Sequence, residues 1–193
     1  MFRRVMSAIS TILIIFLATY LIYHGIFVSV KITEDNRGPY VLVCEKYVGD
    51  YKNTGEIMDR IYESLRSKEK ISPRRGFGLY FDNPETVEKE KLRSIVGCVL
   101  DSEDLDRKEE LAQKYRVEEI PSSWCVTTAF PYRTPLSIII GVFKVYPKLG
   151  DYLDEKKYAD VPIMEIYDAY NTRIDYIVPV NIEKKFFDGM IAR

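Results

Sequence analysis

Between Tyr40 and Val180 the chain writes one order of elements twice, and this repetition restricts its fold more than any other feature. The first copy runs YVLVCEKYV from Tyr40, a helical stripe over Glu56 to Ser67, then GFGLYFDN and LRSIVGCVL. The second runs SSWCVTTAF from Ser122, a helix opened by Thr134 and Pro135, then PIMEIYDAY and RIDYIVPV. Two such units predict an α+β domain: a duplicated β-α-β-β arrangement with pseudo-two-fold symmetry, a mostly antiparallel sheet and both helices on one face. The other face is then free to hold a ligand.

In the first helix Ile57, Met58, Ile61, Tyr62 and Leu65 recur at helical spacing, with Asn53 and Glu56 placed as its N-terminal cap. The second helix is apolar nearly all round: Leu136, Ile139, Ile140 and Phe143 on one side, Ile138, Val142 and Val145 on the other. That pattern predicts burial between the sheet and a neighbouring helix. Phe27 to Thr33 alternates, as an extra strand or a climb away from the preceding segment, and Glu34 to Pro39 carries turn chemistry. The acidic run from Asp101 to Glu110 reads as the solvated start of a short helix that turns Leu111, Ala112 and Tyr115 inward. It lacks the glycine and the terminal glutamate of a calcium loop.

Val5 to Val30 contains no charged side chain, which is enough to span a bilayer as about 20 residues of helix. A secretory signal peptide is the competing reading, since Arg3 and Arg4 precede the apolar core. Tyr20 to Phe27 is bulky and aromatic where a cleavage site would need small residues, so the anchor is favoured. The organisation expected is therefore an anchor over residues 5–27, a linker over 28–39, the domain over 40–182 and a short tail over 183–193. Arg3 and Arg4 are balanced by Lys31 and Arg37, which leaves the orientation of the anchor open.

The 28 basic and 29 acidic residues give a formal charge of −1, and no electrostatic argument for a nucleic-acid partner. The single histidine, His24, lies at the anchor's edge, so no Ser-His, Cys-His or His-metal constellation forms in the domain. No phosphate loop or dinucleotide fingerprint is written. Cys44, Cys98 and Cys125 are scattered, as small buried hydrophobes. No cofactor, no metal site and no catalytic residue is expected.

A carboxylate among aromatics remains. Alternation in the strand from Pro162 to Tyr170 places Ile163, Glu165 and Tyr167 on one face, and a tight turn near Asn171 brings Tyr176 and Val178 opposite them. Glu165 breaks the polar-out rule if that face is covered and is an ordinary surface residue if it is not. Alternation alone does not say which. Tyr47, Tyr80 and Trp124 are further neighbours for a groove built on these residues, and aromatic walls around a carboxylate suit an apolar cation.

GLYFDNPETV, LRSIVGCVL, TAFPYRTPLSIIIGVFKVYPKLGDYL and PIMEIYDAY followed by DYIVPV resemble the GyrI-like family, the effector-binding domain of bacterial AraC- and MerR-type multidrug regulators. The run from Ala129 to Tyr167, taken with the anchor, comes nearest to the testis-expressed, membrane-anchored ER-phagy receptors of animals. The resemblance implies a duplicated fold with a ligand groove between the halves and a domain that binds a small apolar or cationic molecule or a protein partner. It places the chain in the endoplasmic reticulum with a cytosolic domain in a eukaryote, or in the inner membrane of a bacterium. It also implies an adaptor that lacks the receptors' long tail, whose aromatic-x-x-aliphatic motif Phe187 to Met190 matches only loosely. Some GyrI-like proteins hydrolyse reactive electrophiles, and Glu165 beside Tyr167 would then activate water.

Overall fold

The computed structural model describes residues 2–192. Helix α1 (Phe2–Tyr23) touches the domain at its C-terminal end, has no buried residue, and is long and apolar enough to cross a membrane. The first unit is β2 (Tyr40–Val48), α2 (Thr54–Ser64), β3 (Arg75–Tyr80) and β4 (Arg93–Val99), preceded by β1 (Thr33–Arg37). A short α3 (Lys108–Leu111) and β5 (Arg116–Ile120) lead to the second unit: β6 (Ser123–Pro131), α4 (Pro135–Lys156), β7 (Ile163–Asp168) and β8 (Arg173–Pro179). Helix α5 (Lys184–Ala192) follows.

The eight strands form one sheet in the order β1-β6-β8-β7-β3-β4-β2-β5, antiparallel at every pairing. The centre of that order is the pair β3 with β7, the third element of each unit, and the flanks match outward from it, β4 with β8 and β2 with β6. This is the duplicated GyrI-like α+β architecture, and the two halves meet where Gly78 pairs with Glu165.

Register assigns the core. Val43, Val96 and Cys98 lie on the face covered by α2, with Ile57, Ile61 and Leu65. The same face of the second half carries Val126, Phe130, Ile174, Tyr176 and Val178 beneath Ile140, Val145 and Leu149 of α4. Both helices therefore share one face, as the repeat predicts.

The opposite face is not free. Leu42, Phe77, Leu79, Ile95, Val99, Met164 and Ile177 pack there against Phe187, Met190 and Ile191 of α5. Arg116 on β5 donates to the Met190 carbonyl at the helix end. The segment expected as a tail thus supplies the apolar cover for that face.

Other local expectations change for identifiable reasons. Glu34 to Arg37, expected as a turn, is the body of edge strand β1, held to β6 through the pair Glu34 and Val126. Its polar side chains find partners: Asp35 pairs with Arg37, and Glu34 takes three donors described below. Asn53 makes no side-chain cap on α2, because its amide donates to the Tyr47 hydroxyl at 3.1 Å. Asp50 and Thr54 shape the entry instead, accepting from Lys52 N and donating to Tyr51 O. Strand β5 was hidden behind the acidic run, whose Ser102–Arg107 portion is a 3-10 turn. Finally, α4 is not enclosed: Ile139, Val142 and Phe143 are exposed.

Candidate functional site: Glu165 between the two helices

β7 alternates as expected, and the face that carries Glu165 is the helix-bearing one. Glu165 is 2% exposed. Two glycines make room for what surrounds it. Gly78, directly across from Glu165, lets Tyr80 fold back along the strand, since a Cβ there would lie 2.5 Å from the Tyr80 hydroxyl. Gly141 lets α4 settle onto the sheet, because a Cβ would lie 2.7 Å from the Tyr176 hydroxyl.

A line of hydroxyls results. Tyr146 of α4 donates to Glu165 Oε1 at 2.6 Å, and Tyr167 donates to Oε2 at 2.7 Å. The Tyr80 hydroxyl lies 3.1 Å from that of Tyr167 and 3.4 Å from Thr54 Oγ1 at the start of α2. The chain of contacts thereby reaches from one helix to the other across the junction of the halves. Tyr132 and Tyr176 complete the aromatic surround, edge-on to Tyr167 and Tyr146 at 5.9 and 6.0 Å. Tyr80, Tyr146 and Tyr167 are half-buried.

Electrostatically the site is held one charge short. Buried Glu69, Asp101 and Glu118 each pair with an arginine or lysine, and Asp168 closes the turn at Asn171. Among the described residues no such cation pairs with Glu165. Burial pushes its carboxyl above the usual range, while the hydrogen bonds from Tyr146 and Tyr167 pull it back in part. Burial, and next the charge of Glu165, drive the Tyr146 and Tyr167 phenols well above their usual values. The phenols therefore stay neutral donors. The Tyr176 hydroxyl is fully buried without a hydrogen-bond partner among the described residues, and Tyr176 occupies the strand position opposite Glu165.

The residues singled out in the sequence divide into three places. Glu165, Tyr167, Tyr80 and Tyr176 converge, with Ile163 at the strand's start and Val178 buried beneath the helix layer. Tyr47 lies on the same face in the row Tyr47, Ser94, Tyr80, but β4 separates it from Tyr80 and its hydroxyl is held by Asn53. Trp124 belongs to the far edge, where its indole donates to Glu34 Oε2 at 2.8 Å, and Tyr152 and Tyr158 donate to the same carboxylate. Sequence reasoning missed Tyr146 and Thr54. Nothing in an all-round apolar helix marks Tyr146 as the residue turned toward the sheet.

No family model matches the chain. It is 33% identical over 148 residues to testis-expressed protein 264 homolog of Mus musculus, covering 73% of this chain and 45% of that protein. It is 30% identical over 190 residues to testis-expressed protein 264 of Homo sapiens, covering 94% of this chain and 58% of that one. The chain thus spans about half the length of the curated relatives it matches. Among solved structures, the EcmrR C-terminal domain superposes with a TM-score of 0.55 at 13% identity, covering 80% of this chain and 99% of that domain. SAV2435 bound to tetraphenylphosphonium superposes with a TM-score of 0.51 at 15% identity, covering 78% and 94%. At these identities the likeness is one of fold.

Proposed function

We propose that this is a single-pass membrane protein whose GyrI-like domain binds, without catalysis, an apolar cation or the cationic group of a partner at Glu165. The observation that carries the reading is a carboxylate 2% exposed, held only by tyrosine hydroxyls and lacking a basic partner among the described residues. A cation entering between half-buried aromatic rings supplies the missing charge. Ring faces contribute roughly 0.5 to 2 kcal/mol to such a contact, and the carboxylate adds a charge term that strengthens as water leaves. The structural neighbour that holds tetraphenylphosphonium supports the choice of probe.

The test is a titration of the full chain in detergent with tetraphenylphosphonium and with uncharged triphenylphosphine oxide. The cation is expected to bind about tenfold or more tighter, a difference of roughly 1.4 kcal/mol, and Glu165→Gln is expected to abolish that preference. Equal affinities in both proteins would refute the cation site. Turnover of an electrophile that vanishes in Glu165→Gln would favour the hydrolytic alternative.

The anchor reading rests on α1, which is uncharged from Val5 onward, buries no residue and leaves every apolar side chain but the half-buried Leu21 exposed. Full-length protein is expected to stay in membranes through carbonate washing, and release into the supernatant would refute it. The resemblance to membrane-anchored receptors extends the proposal to an adaptor on the cytosolic side of the endoplasmic reticulum. Such an adaptor does not use Phe187 to Met190 as a linear motif, because motifs of that kind need an accessible segment and both end residues are buried in α5. Binding of the folded protein to an autophagosomal ubiquitin-like protein through Phe187 is expected to be undetectable in a pull-down. Capture by the wild type, lost in a folded Phe187→Leu variant, would contradict this.

A further inference from the structure

The anchor and the domain are not joined by a free linker. Arg133, just before α4, donates from Nη1 to the Tyr23 carbonyl at 2.6 Å and stacks its guanidinium over the Tyr23 ring at 4.3 Å. The His24 ring, 1% exposed, places Nδ1 3.2 Å from both Ser137 Oγ and Thr134 Oγ1. Lys144 Nζ donates to the Ile26 carbonyl. Five contacts therefore fix the end of α1 and the turn after it to the start and first half of α4, so that half of the helix stands at the level where the chain leaves the apolar span.

Its outward side is apolar there, as far as Pro147, and polar or charged beyond it. Ile139 is 53% exposed and Phe143 76%, with Val142 between them, and Phe27 beside the clamp is 80% exposed. These positions follow helical spacing on a single stripe. Beyond Pro147 the exposed residues of the same helix are Lys148, Gly150, Asp151, Asp154, Glu155 and Lys156. A helix that turns from apolar to charged with distance from a membrane exit follows the polarity gradient of a bilayer interface, where aromatic and aliphatic side chains enter the boundary between headgroups and acyl chains. Tyr20, Tyr23 and Arg133 supply the aromatic and basic groups common at that boundary.

We infer that the first half of α4, through Ile139, Val142 and Phe143 together with Phe27, inserts into the lipid interface and clamps the domain against the membrane. The inference rests on the anchor reading above. It fixes the site-bearing helix at the surface, because Tyr146, the donor to Glu165, lies one turn beyond Val142 on this same helix. A ligand concentrated in the membrane interface then meets the site from the lipid side.

The experiment uses the full chain in phosphatidylcholine vesicles. Phe143→Trp is made in a Trp124→Phe background, with Gly150→Trp as a control seven residues along the same face, about 10 Å farther from the clamp. Acyl-chain-brominated lipid is expected to quench the Phe143→Trp emission at least threefold more than the Gly150→Trp emission, with a blue-shifted maximum for the former. Ile139→Trp repeats the measurement should Phe143→Trp fail to fold. Equal quenching at the two positions would overturn the inference. So would protection from acrylamide without quenching by bromolipid, which would mean that a second copy or another protein covers the stripe. Carbonate extraction of the same vesicles separates the two readings: release of the chain refutes the anchor and this inference together, whereas a retained chain with unquenched emission refutes the inference alone.

Discussion

Phe187→Ala is expected to lower the stability of the folded domain by about 3–5 kcal/mol, the range for truncating a buried phenylalanine. Phe187 is fully buried in the face opposite α2 and α4, among Leu42, Phe77, Leu79 and Ile95, and its ring meets Phe186 edge-on at 5.2 Å. Among the described residues no other helix covers that face, so the void left by the ring would open onto the sheet. Since whole domains are stable by about 5–15 kcal/mol, the variant is expected to be marginal at 37 °C. Urea denaturation followed by far-ultraviolet circular dichroism of the full chain in detergent measures the change, with Phe186→Ala as a comparison at a half-buried neighbour. A shift below about 1 kcal/mol would mean that α5 lies outside the cooperative unit. The consequence for function is practical: loss of any partner in Phe187→Ala reports unfolding unless the fold is checked first.

This helix also shows where sequence reading stops. KKFFDGMIA is nine residues long and includes a glycine, and an isolated helix below about 12–15 residues is marginal in water. Only the apolar sheet face makes it a helix, and that face is assembled from strands distant in sequence. Strand β1 is similar, because Glu34 to Arg37 has turn-forming residues that become a strand only by pairing with β6. The paired β-α-β-β units were legible because alternation and helical spacing are local. For α4 the pattern was legible but its meaning was not: an apolar residue turned outward looks the same as one turned to the core.

The site divides along the same line. Glu165 was visible as a charge that violates alternation, and Tyr167 and Tyr176 followed from strand parity and the turn near Asn171. Tyr80 joined them because β3 pairs with β7, a contact between the halves that no local pattern specifies. The same ignorance of strand order sets Tyr47 two strands away from Tyr80, and Trp124 at the Glu34 edge, although both share the sheet face that carries Glu165. Tyr146 required the helix's rotation, which packing on Tyr176 and Phe130 determines through Gly141.

Replacement of Glu165 is expected to have the second large effect, and its pH dependence distinguishes a buried carboxyl from a surface one. Glu165→Leu leaves the Tyr146 and Tyr167 hydroxyls without their acceptor, at about 1–3 kcal/mol for each buried group left unsatisfied. Glu165→Gln keeps an acceptor and removes the charge, so it isolates titration. Burial raises the folded carboxyl above its unfolded value, so the folded state holds the proton more tightly. The resulting contribution to stability is fully present below the unfolded glutamate pKa of about 4.3 and is lost as pH rises through the raised folded value. Urea midpoints of the wild type minus those of Glu165→Gln should therefore fall across that window and level off above it. A difference that stays flat with pH would mean that Glu165 titrates as a solvated residue. Tetraphenylphosphonium adds a second sign to the same measurement: a cation that prefers the ionised carboxylate stabilises the wild type more at the upper end of the window and reduces the fall. An equal gain at both ends would separate the buried carboxyl, which would stand, from the cation site, which would not.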